Sequence, residues 1–253
     1  LGPDEQRILQ KFVADRGGAL IIVSGPLYMP HAYGGTPLAE VLPVVFKKDD
    51  KPIMTGPEKS FRIALTAEGR ESVIMRQQVA AEASQEIWDA VPDIYWRHPI
   101  LHAKEGATVL AYAMPASPPD FLPKKVAAGA APAEAAGDAV MRERRDFERQ
   151  NALIAYHSAA MGQVMFLGFD HTWRLRYRTG DTYHHRFWGQ VLRWATANKL
   201  PAGTETVRVG TDRSRYSPEM SVRVRARLAK KDYTPITSDD VAVNVFAGDQ
   251  LVM

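Results

Sequence analysis

The chain has 253 residues, 45% hydrophobic and 24% charged, a globular composition that suits one large domain or a medium domain with a smaller one. It contains no cysteine, which excludes disulfides, thiolate metal sites and cysteine nucleophiles together. A net charge of +3 and a pI of about 9.0 fall short of the concentrated basic stripe that binds nucleic acid, and no apolar run reaches the roughly 18 residues needed to span a membrane.

The first predicted element is a helix. Pro3 and Asp4 open it, Ile8, Leu9, Phe12 and Val13 recur at helical spacing, and Gly17-Gly18 ends it. No signal-peptide pattern precedes it, and a chain opening at Leu1 is expected to be a piece of a longer protein. Ala19 to Val23 is apolar without alternation, as in a strand buried on both faces of a parallel sheet. The loop after it, Ser24 to Gly35, lies where open α/β sheets place their ligands. Thr36 is placed to cap a short helix begun by Pro37. Val44 to Phe46, Phe61 to Thr66 and Ala107 to Ala113 read as strands, and Gln77 to Ala90 as a helix ending near Trp88.

Residues 115–150 change character. Pro115, Pro118, Pro119, Pro123 and Pro132 among alanines and glycines predict a mobile insertion, with a charged, solvated helix from Met141 to Gln150 at its end. Ala152 to Tyr156 and Gln163 to Phe169 then read as adjacent central strands, and His185 to Asn198 as a helix with an apolar face of Phe187, Val191, Leu192, Trp194 and Ala195. From Thr206 the period changes to two. Val222, Val224, Ala226 and Leu228 alternate with Arg223, Arg225 and Arg227, and Val241, Val243 and Val245 alternate again, the pattern of half-buried antiparallel strands. The tail is short for a whole sandwich of about 100 residues. The expected organisation is an α/β domain over 1–202 with a mostly parallel central sheet flanked by helices, and a partial β-sandwich over 203–253.

Four blocks carry a family resemblance: Gly17 to Gly25, Thr36 to Pro43, Gly162 to Arg176 and Phe187 to Trp194. Together they resemble the class I glutamine amidotransferase-like, flavodoxin-like domain of large bacterial membrane-anchored proteins. Tyr216-Ser217-Pro218-Glu219 and its strands resemble the Ig-like region that often follows. The resemblance implies a soluble envelope domain, on the periplasmic side, that meets the membrane only through regions outside this chain. It also implies an envelope ligand or a protein partner.

The chemistry of such an amidotransferase requires a cysteine on a sharp strand-to-helix turn, with a histidine and a glutamate behind it. Ser24 and Gly25 occupy that region here, without a G-x-S-x-G elbow. His171 follows the last central strand, but Trp173 stands two residues on, where a glutamate is needed. Neighbours on an extended chain point to opposite faces, which argues against Asp170 as partner to His171. Ser24 and His171 therefore remain as bare candidates for a serine-based amidotransferase or hydrolase, beside the leading expectation of a non-catalytic binding or interaction module. Asp181 with His184-His185 has no metal-site spacing, Pro99 interrupts the pair His98 and His102, and Gly34-Gly35 lacks a phosphate-loop lysine, so no metal or cofactor is expected. The densest functional cluster is Asp170, Trp173, Arg174, Arg176, Tyr183, His184 and Arg186. Arginines beside aromatics suit an anionic or sugar-like ligand, or else a structural network in which Asp170 pairs with an arginine and Trp173 and Trp188 pack the domain edge.

Overall fold

A computed structural model describes residues 1–121 and 138–197, and beyond these 202–203, 207–211, 224–228, 230, 236, 242, 244, 246–247 and 250–251. The chain divides into two units, Leu1–Lys199 and Leu200–Met253.

In the first unit the order is α1 (Pro3–Ala14), β1 (Ala19–Val23), α2 (Pro37–Val41), β2 (Val44–Val45), β3 (Phe61–Leu65), α3 (Ala67–Glu71), α4 (Ala81–Asp89), β4 (His102–Ala103), β5 (Thr108–Pro115), α5 (Asp138–Gln150), β6 (Ala152–Ala159), β7 (Gly162–Leu167) and α6 (Thr182–Ala197). Single 3-10 turns lie at His31–Tyr33 and His171–Arg176. Five strands form one sheet in the order β1-β7-β6-β5-β3. Only β1 and β7 run parallel, with Ala19 opposite Gln163 and Val23 opposite Leu167. The pairs β7·β6, β6·β5 and β5·β3 are antiparallel.

The expected mostly parallel sheet is thus corrected to a mostly antiparallel one within a mixed α/β unit. The cause is visible in β6 and β7. They are joined through Ala160, at φ 50°, and Met161. So tight a connection reverses the chain, whereas parallel neighbours need a crossover of about a dozen residues or more. What the uninterrupted apolar runs report is burial on both faces, and that does not depend on strand direction. Val164 and Phe166 pack into one cluster with Val13, Ile22, Leu38 and Leu42. Met165 and Leu167, between them, pack into the other with Phe61, Trp88, Phe187 and Val191. Alternate side chains of one strand serve opposite cores.

Four helices differ from expectation. In α1, Val13 is buried but Ile8 and Phe12 are exposed. Thr36 stands at the start of α2, yet its hydroxyl donates back to Tyr33 O at 2.7 Å instead of capping. Helix α4 begins only at Ala81, because Ser84 Oγ accepts from Gln77 N at 2.8 Å and turns the preceding segment aside. Trp88 then fixes α4 to the core, its indole N–H donating to Met75 O at 2.7 Å and its ring meeting Phe187 edge-on at 5.9 Å. The charged helix α5 is not wholly solvated. Phe147 sits edge-on to Tyr112 at 6.1 Å, and Glu148 is buried against Arg144 at 2.9 Å. Burial raises the Tyr112 hydroxyl to about 12 and raises the Glu148 carboxyl despite its arginine. The centre of the expected insertion, 122–137, lies outside the described residues.

One close approach in this unit gives a direct test. A Cβ on Gly69, in α3, would lie 1.9 Å from Leu110 O on β5. Gly69→Ala should therefore force helix from sheet and cost about 3 kcal/mol in urea unfolding. A loss below about 1 kcal/mol would mean that α3 yields freely.

In the second unit, β8 (Ala202–Gly203), β9 (Val207–Thr211) and β10 (Val224–Leu228) form an antiparallel sheet, and β11 (Phe246–Ala247) pairs with β12 (Gln250–Leu251). The period-two stretch at Val224 to Leu228 is a strand. Val241, Val243 and Val245 lie outside the described residues.

Candidate binding pocket

Strand β7 delivers the chain into the segment that builds the site. After Gly168, Phe169 is buried and the backbone enters the 3-10 turn His171–Arg176. Leu175 points into the core. The residues on either side of it are then free to meet solvent or the neighbouring helix α4. The chain returns through Arg178 at φ 59° and Gly180 at φ 63° to start α6.

The arginines here have different fates. Arg176 pairs with Asp181 at 2.8 Å. Arg186 donates to Gln77 O and lies 5.8 Å from the Tyr183 ring centre. Arg178 covers the ring of its neighbour Tyr177 at 5.0 Å. Arg174 is half-buried over the rings of Trp173, at 5.1 Å, and Tyr95, at 5.7 Å. Its Nε has no hydrogen-bond partner, and no carboxylate pairs with it among the described residues.

Between α4 and this segment lies a pocket of about 320 Å³. Ala83, Ile87, Ala90, Val91 and Leu175 give it an apolar wall. Arg174, Tyr177, Thr179, Tyr183, Gln78 and Glu86 supply its polar groups. Of the seven expected ligand-binding residues, Arg174 and Tyr183 line it. Trp173 and Arg186 touch those two side chains, while Asp170, Arg176 and His184 do not line it. His184 is held below the ordinary histidine value by burial first, then by Arg176 and His185. Sequence reasoning missed the α4 wall and Tyr95 and Tyr177. The signal for the wall was the helical spacing of Ala83, Ile87 and Ala90, which reads as core.

Asp170 pairs with no arginine among the described residues. Its Oδ1 lies 2.6 Å from His171 Nδ1. The argument that neighbours point apart holds for a strand, but here the two residues enter a 3-10 turn. Trp188 packs at the core edge and donates to Thr172 Oγ1 at 3.3 Å, whereas Trp173 is exposed.

Ser24 follows β1, and its N–H donates to Leu167 O at 2.8 Å. Its side chain is buried and its Oγ has no hydrogen-bond partner. The chain after it closes a loop, Gly25 N to Met29 O at 2.9 Å, with no helix to supply an oxyanion dipole. No serine–histidine dyad joins Ser24 to His171 among the described residues.

A second cluster was not foreseen. His31 and His98 are both buried, with rings stacked 5.3 Å apart at 13°. Phe46 meets His98 edge-on at 5.9 Å. His31 Nε2 bonds Leu27 O at 3.1 Å, and both ring nitrogens of His98 lack partners. Burial, then His31 and Arg97, lower His98 to about 4, so it is a neutral core imidazole. His102 sits apart from it, in β4. Among the described residues no group of three or more His, Cys, Asp or Glu is placed to hold a metal ion, and no helix is long and apolar enough to cross a membrane.

Fold and site together define a mixed α/β unit with an arginine–aromatic pocket beside the end of its central strand pair. No protein-family model matches the chain, and no curated protein matches it. Among solved structures it is similar to the cytoplasmic protein STM3548 of Salmonella typhimurium, with 15% identity and a TM-score of 0.47 over 77% of this chain. It is also similar to the cytoplasmic protein STM1381 of Salmonella typhimurium LT2, with 18% identity and a TM-score of 0.41 over 76% of this chain. The chain spans 61% of the length of each.

Proposed function

We propose that this chain is a non-catalytic, class I amidotransferase-like module that binds a small ligand through the pocket between α4 and the segment from Arg174 to Tyr183. The module belongs to a larger bacterial envelope protein, with the second unit the beginning of an Ig-like region and the membrane reached through parts outside this chain. The supporting observation is Arg174. Its neighbours Arg176 and Arg186 are committed to Asp181 and Gln77, whereas Arg174 lines a concave, largely apolar pocket and, among the described residues, has aromatic contacts alone. An apolar pocket with a few polar groups is the usual form of a ligand site. Against a serine-based acyl transfer stands Ser24, whose hydroxyl has no base within hydrogen-bond reach.

The test is a fragment mixture screened by ligand-observed NMR against the full chain and against Ala83→Trp, which fills the pocket from α4. The reading expects a set of fragments whose signals vanish with the variant while its circular dichroism spectrum is unchanged. Equal binding to both proteins, or no binding to either, overturns it.

A further inference from the structure

Resting on that reading, we infer that the pocket selects an apolar monocarboxylate, a single ring or short hydrocarbon bearing one carboxylate. The charge comes from Arg174. Its guanidinium lies over the rings of Tyr95 and Trp173, contacts that use none of its N–H groups, so these keep their capacity for hydrogen bonding. A planar N–H fork matches a carboxylate.

The charge number follows from the lining. Among the described residues Arg174 is the only cation that lines this pocket, and Glu86 lines it too. With Glu86 in the lining, each negative charge on a ligand adds repulsion, so one charge held by Arg174 is favoured over two. The Glu86 carboxylate repels a phosphate dianion about twice as strongly as a monocarboxylate, and a dianion is best held by more than one cation. The wall decides against a sugar. Ala83, Ile87, Val91 and Leu175 offer no hydrogen-bond partners, and hydroxyl groups laid against them would be stripped of water without replacement. A volume of about 320 Å³ is at the small end of ligand pockets and has room for one ring with its carboxylate.

The experiment is calorimetric titration of the full chain with four probes: phenylacetate, its neutral analogue 2-phenylethanol, phenyl phosphate and glucose. Phenylacetate should bind at least about tenfold more tightly than the other three. Arg174→Ala should weaken phenylacetate by roughly 10- to 100-fold while leaving 2-phenylethanol unchanged, and Arg174→Lys should fall between. Unchanged 2-phenylethanol binding shows that the variant pocket is intact, so a folding defect cannot imitate the result. Equal affinity for phenylacetate and 2-phenylethanol, or tighter binding of phenyl phosphate or glucose, overturns the ligand class. If those probes are still lost in Ala83→Trp, the binding-module reading survives that failure. Binding of none of the four overturns both.

Discussion

Glu58→Ala is expected to destabilise the first unit by about 3–5 kcal/mol, because it strands a buried guanidinium. Arg97 is 4% exposed. Its Nε donates to both Glu58 carboxylate oxygens at 3.0 Å, and its Nη2 donates to Glu58 and to Asn151 Oδ1, the latter at 2.9 Å. Asn151 in turn donates to Phe147 O at 2.9 Å, at the end of α5. The arginine therefore ties together three segments distant in sequence: the loop before β3, the stretch before β4, and the turn from α5 to β6. Without Glu58 the cation keeps its burial and loses its counter-charge. Glu58→Gln retains an acceptor oxygen and should cost less. Urea unfolding of the two variants checks this order. A loss below about 1 kcal/mol for Glu58→Ala would show that water reaches Arg97 and solvates it.

Acidification is expected to remove about 3 kcal/mol of stability between pH 6.5 and pH 4 through His98 alone. The folded state holds this imidazole at about 4 against an ordinary 6.5. Above pH 6.5 it is neutral in both states and contributes no pH dependence. Below that, the unfolded chain takes up the proton while the fold refuses it, so stability falls until the folded group also titrates, and then levels off. His157, lowered mainly by burial with its Nε2 on Val41 O at 2.8 Å, acts in the same direction. Glu148 opposes both. Its raised value adds stability at low pH that is lost as pH rises through its folded value. In His98→Phe the ring remains against His31 and Phe46 but cannot charge. Urea midpoints at pH 7 and pH 4.5 should therefore differ less in this variant than in the parent chain. An equal fall in both would place the acid sensitivity elsewhere.

Much of the fold was legible wherever one period dominated. The run Gly162 to Leu167 is a strand buried along its whole length, Ala19 to Val23 is an apolar strand largely covered, and Phe61 to Leu65 alternates, with Phe61, Ile63 and Leu65 buried and Arg62 exposed. Strand direction was not legible, since Val164 and Met165 look alike in sequence whether β6 beside them runs up or down. It is set by the short turn at Ala160, which the sequence marks with no glycine at that position. The site was half legible. Arg174 and Tyr183 stand in one dense block of charged and aromatic residues, but the wall that makes a pocket comes from α4, roughly a hundred residues earlier, and no local pattern links them. The same holds for His31 and His98. Each is a lone histidine in sequence, and only the fold stacks them.

The most direct test of the central claim, a binding pocket beside Arg174, is a crystal structure of the full chain soaked with phenylacetate. The account predicts its carboxylate within hydrogen-bond distance of the Arg174 guanidinium and its ring against Val91 and Leu175. Phenylacetate bound instead at Ser24 or His171, or found nowhere in crystals whose pocket is open to solvent, would contradict it.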